Sequence, residues 1–113
     1  MSITLKISTT LNKRFAMSEE DAALLFPSLE NAIKKQQQLE LSFDSIENCS
    51  TIFLNNLLGK LYLSFGEKVD NFVHFTGIAQ DDMVLPSQLE RLRRRALHAD
   101  VYQPIFNNAI GHA

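Results

Sequence analysis

Two periodicities meet in residues 39–66, and the switch between them constrains what this chain can fold into. Leu39, Leu41 and Phe43 alternate with Glu40 and Ser42, the period-2 pattern of a strand with one buried face. After a polar stretch over residues 44–49, Phe53, Leu54, Leu57, Leu58 and Leu61 recur at helical spacing, and the run ends at Gly66. A strand, a short turn and a helix in that order aim backbone N–H groups and hydroxyls at one corner of a molecule. Ser50 and Thr51 stand where the helix begins, so that corner is the expected working surface.

The flanking segments fit the same plan. Residues 2–8 alternate and read as a half-buried strand, residues 9–12 as a turn, and residues 13–17 as a second strand pairing back on the first, with Phe15 inward. Ser18, followed by Glu19, Glu20 and Asp21, is a helix start with a capping hydroxyl and acids in the first turn. Ala22, Leu25, Phe26, Leu29 and Ile33 share one face of that helix. Pro27 removes an amide inside the pattern, which predicts a kink or two short helices, the second over residues 27–37. Further on, Gly66 reads as an αL cap, residues 69–75 as a strand, and residues 76–85 as a loop. Asp81-Asp82 then precedes a helix that Pro86 opens and His98 ends.

Strands alternating with helices imply an α/β domain, a mixed or parallel sheet of about four strands with helices packed on it. At 113 residues the chain is expected to be one domain over 1–113, with a core at 1–98 and a C-terminal extension at 99–113. Residues 102–106 read as a docked part of that extension and 109–113 as a loose end.

Several function classes find no support. A net charge of −2 gives no bulk attraction to nucleic acid or to anionic membranes. No apolar run approaches the ~20 residues of a membrane span or forms a signal peptide. With Cys49 as the single cysteine, a reducing, cytoplasmic setting is expected. His74, His98 and His112 lack ligand-like spacing, so neither metal nor cofactor is expected. Cys49 sits among acids without a base beside it, and no phosphate loop or nucleophile elbow is present. No catalytic residue can be named, and an enzyme is not expected. The main basic feature is Arg91, Arg93, Arg94 and Arg95 on the last helix, with Leu89, Leu92 and Ala96 facing the sheet and Glu90 placed to pair with Arg94. Its plain reading is a solvated face; its functional reading is a partner-binding patch.

Residues 41–61 resemble the STAS domain, the small α/β fold of bacterial anti-sigma-factor antagonists, and in particular a STAS-like family of unknown function. There a strand ending in Phe-Asp or Asp-Phe leads to a Ser-Ser-Phe-Ala-Asp-Glu-Leu-x-Gly-Lys-Leu helix; Thr51 to Leu61 reads Thr-Ile-Phe-Leu-Asn-Asn-Leu-Leu-Gly-Lys-Leu. Arg14 and Ala22 echo residues around that family's first helix. The resemblance covers residues 38–66 well and extends over 1–98. It implies a small STAS-like domain that regulates by binding a protein, a GHKL-type ATPase-kinase or an anti-sigma-like factor, in a bacterial or phage setting. It further implies a phospho-acceptor at the helix start, where Thr51 matches and Ser50 replaces an acid. The sequence departs from the pattern at Asn55-Asn56, where the family has Asp-Glu, and at Phe53, where antagonists carry a small residue. The partner surface so implied comprises Asp44, Glu47, Asn48, Ser50, Thr51 and Asn55. A second reading is a small inhibitor or accessory protein, of the kind a mobile element encodes, docking on a larger complex through Arg91–Arg95 or as a homodimer.

Overall fold

The computed structural model describes residues 2–98. The chain runs β1 (Ser2–Lys6), α1 (Ile7–Leu11), β2 (Phe15–Ala16), α2 (Glu19–Lys34), β3 (Gln38–Ser42), β4 (Asn48–Cys49), α3 (Thr51–Leu54), a π-helical turn (Asn55–Gly59), α4 (Lys60–Phe65), α5 (Lys68–Phe72), β5 (Val73–Thr76) and α6 (Val84–Leu97). β3 lies between β1 and β5 and is parallel to both, with Leu39 opposite Ile3 and Val73, and Glu40 opposite Thr4 and His74. β2 and β4 form a separate parallel ladder, Phe15 beside Asn48 and Ala16 beside Cys49. The α/β expectation holds in kind. The main sheet, however, has three strands, and the remaining two pair apart from it.

Side-chain alternation sorts the layers. Leu39 and Leu41 enter the core with no exposed surface, while Thr4, Glu40 and His74 share the opposite, polar face of the sheet. α2 and α5 pack on β3 and β5. Residues 51–65 form a continuous rod of α3, the π-helical turn and α4, held between α2 and α6. A rod covered on two sides needs a broad apolar stripe, and Phe53, Leu54, Leu57, Leu58 and Leu61 are all fully buried. Each such side chain is worth about 1.5–3 kcal/mol relative to exposure. α6 lays Leu85, Leu89 and Leu92 on this rod, not on the sheet as expected.

Four local expectations are corrected. Pairing of β1 stops at Lys6 opposite Ser42, and Ile7 then turns into the core as the first residue of a helix; burial overrides the β preference of Ile and Thr there. β2 pairs with β4 and not with β1: the Glu47 amide donates to the Arg14 carbonyl at 2.8 Å, and the Ser50 amide to the Ala16 carbonyl at 3.0 Å. Ala16 is consequently buried and Phe15 faces outward, 45% exposed. α2 runs through Pro27 and ends at Lys34; Pro27 is exposed, and the carbonyl it leaves without an amide belongs to exposed Ala23, where water reaches it. Finally, Gly66 takes φ 62° and ψ −138°, outside the αL well, and its carbonyl accepts from the Val69 amide, starting α5 where a strand was expected. The extension read at 102–106, the loose end at 109–113 and His112 lie outside the described residues.

Candidate functional site

Ser50 organises the corner that the sequence singles out. Its hydroxyl accepts from the Phe53 amide at 3.0 Å, capping α3, and donates to the Met17 carbonyl at 2.6 Å. One side chain thus ties the start of the rod to the end of β2. Thr51 is exposed, and its hydroxyl has no hydrogen bond among the described residues. Ile52 is 58% exposed, and Asn55 is exposed one turn below Thr51. Phe15 and Met17, on either side of buried Ala16, add apolar surface to the same corner. Sequence reasoning missed these three apolar residues. Ile52 was readable, because it falls outside the stripe of Phe53, Leu54, Leu57 and Leu58.

The turn before the cap is held from several directions. Ser42 Oγ accepts from the Asp44 amide at 3.2 Å, Ser8 Oγ donates to the Asp44 carbonyl at 3.2 Å, and the Ile46 amide donates to the Phe43 carbonyl at 3.0 Å. Gly77, at φ 73°, packs so closely that a Cβ there would lie 2.6 Å from the Asp44 nitrogen. The carboxylates of this turn are paired: Asp44 with Lys6 at 3.4 Å, and Glu47 with Arg14 at 3.0 Å. Both pairs are open to solvent and of small energetic value. Asp44, Glu47, Asn48, Thr51 and Asn55 are all exposed, and Ser50 among them is half-buried. The corner is not an unscreened acidic patch.

Titratable groups nearby serve the fold. Asp21 is 6% exposed; burial alone would raise its pKa, but Lys13 at 2.9 Å and the Met17 and Ser18 amides outweigh burial and hold it below the usual carboxylate value. With Ser18 it completes a capping box at the start of α2. Burial, then the Asp82 charge, pushes the Cys49 thiol up to about 11, so it stays protonated and unreactive at neutral pH.

The arginine helix divides. Arg93 donates to Asp70 through two nitrogens, at 2.9 and 2.7 Å, and Tyr62 donates to the same carboxylate at 2.7 Å. Burial raises the Asp70 pKa, but Arg93 and Tyr62 outweigh it and the net direction is down. Arg93 is thus a fastener between α6 and α5 and does not belong to an open patch. Arg94 pairs with Glu90 at 3.0 Å, the anticipated i, i+4 contact. Arg91 donates to Ser87, and exposed Arg95 has no ion pair among the described residues.

Among the described residues no three His, Cys, Asp or Glu side chains converge as a metal site, and no helix is long and apolar enough to cross a membrane. A family model described as a STAS-like domain of unknown function matches residues 21–83, more than half of the chain. No curated protein and no solved structure matches it.

Proposed function

Because the chain belongs to the family of STAS-like domains of unknown function, we propose that it works as a non-catalytic module that regulates a larger protein by binding it. The observation that carries this reading is the free Thr51 hydroxyl, exposed beside Ile52, Met17 and Phe15 at the capped start of the rod. Exposed apolar side chains with polar groups beside them are the ingredients of a docking patch. Thr51 is the better phospho-acceptor: its hydroxyl is unengaged, whereas Ser50 holds the cap and the tie to Met17. A phosphate on Thr51 would add about −1.5 to −2 charges, compatible with a helix start and repulsive to a partner packed over it.

Intact mass of the protein isolated from its own cells, and after incubation with a co-expressed GHKL-type ATPase, tests the switch. A single phosphate mapped to Thr51, with Thr51→Asp releasing a partner that Thr51→Ala retains, supports it. Indifference of partner binding to both changes removes this corner from the interface. A second reading, docking through α6 or self-association, draws on exposed Arg91, Arg94 and Arg95. Reversing those three charges abolishes binding under that reading alone.

A further inference from the structure

We propose that the groove between α2 and the 51–65 rod receives an amphipathic helical segment of a partner protein, with basic side chains at one end of its apolar stripe; this rests on the reading of the chain as a binding module. On α2 the groove is lined by Glu19 and Glu20, then Ala23, then Phe26 and Pro27. These positions recur at helical spacing and make one stripe about two turns, or ~10 Å, long. Asn56 and Lys60, one turn apart on the rod, form the other wall. Apolar surface flanks the same two helices: Leu24 is 62% exposed, Ile52 58% and Leu63 55%. Single exposed apolar residues need no account, but several on the two helices that wall a groove lined by Ala23, Phe26 and Pro27 fit a docking surface.

Charge selects the occupant. Glu19, Glu20 and Lys60 line the groove with no ion pair among the described residues. The acids lie at the end nearest the Ser50 corner, since both α2 and the rod begin there, joined by the Ser50–Met17 bond. Counted at about 1.5 Å per residue from the Met17–Ser50 bond, Lys60 and Pro27 each lie ten residues on and so fall at a similar height. A trough between two helices accepts a helix through side chains spaced i, i+3 or i+4, i+7. To match this one, the segment carries Lys or Arg opposite Glu19 and Glu20, and an acid or nothing opposite Lys60. That polarity also fixes the direction in which it lies.

The test titrates the full chain, labelled with 15N, with three synthetic peptides of about 16 residues. The first has a leucine stripe and two lysines at one end; the second has glutamates in their place; the third keeps the first composition with the stripe scrambled. The first is expected to bind and to shift the amides of Ala23, Asn56 and Lys60. The double substitution Glu19→Lys, Glu20→Lys is expected to weaken it about tenfold and to favour the glutamate peptide instead. Ile52→Ser with Leu24→Ser, at exposed positions whose folding is checked by circular dichroism, is expected to weaken both. Equal binding of the scrambled peptide, binding of none, or shifts confined to residues 44–51 overturns the groove proposal. The last outcome leaves the binding module standing at the Ser50 corner. Sedimentation showing a dimer that Ile52→Ser dissolves would make this a self-interface and would equally overturn the proposal.

Discussion

The hydroxyls of Ser50 and Thr51 are neighbours with opposite duties, and substitution separates them. Ser50→Ala loses a cap and the Met17 tie, so urea denaturation is expected to show a loss of about 1–2 kcal/mol. Thr51→Ala removes no bond among the described residues and is expected to stay within about 0.5 kcal/mol of the parent. Asp21 gives a pH signature. Its folded pKa lies below its unfolded one, so its contribution is present above the unfolded value of about 3.9 and disappears as pH falls through the folded value. Asp21→Asn should therefore lower the urea midpoint at pH 6 and reduce its decline between about pH 5 and 2. The cap at Ser18 and the helix start at Ser50 could be read from local spacing. The pairing of Arg93 with Asp70 could not, because a charge on a helix says nothing of which distant residue meets it.

At the level of elements, closeness explains more than propensity. Gly77 lets the chain after β5 lie against the Asp44 backbone, and any side chain there collides with it. Gly77→Ala is expected to cost about 2–3 kcal/mol, combining a positive φ with a backbone clash, and to broaden the amide signals of residues 44–49. Pro27 predicts the reverse sign: Pro27→Ala restores an amide facing the Ala23 carbonyl and should raise the melting temperature, worth roughly 1–3 kcal/mol. β3, the long rod and α6 were legible because their apolar periods extend over whole elements. α1 and α5 were not. Ile7, Thr9 and Thr10, or Val69 and Phe72, carry strand preference in sequence, and only the burial of Ile7 and Val69 turns these short pieces into helices.

At the scale of the molecule, the buried apolar set among the described residues begins at Ile7 and ends at Leu92. A chain cut after His98 is accordingly expected to unfold in one cooperative transition by circular dichroism and fluorescence alike; two transitions, or none, would show that the core needs residues 99–113. The alternation of strands and helices made the α/β class legible, but strand order was not, since it depends on pairings such as Phe15 with Asn48 that no local pattern encodes. Because every ladder among the described residues is parallel, none of them closes as a hairpin, and β3 must wait for partners delivered by helical crossovers on both sides. On the ribosome, β1 and α2 could settle on β3 early, yet its second flank stays bare until residues 73–76 emerge. Nascent chains stalled short of that point would display the backbone groups of the central strand unpaired on one side, an invitation to chaperones and to misassociation until β5 covers them.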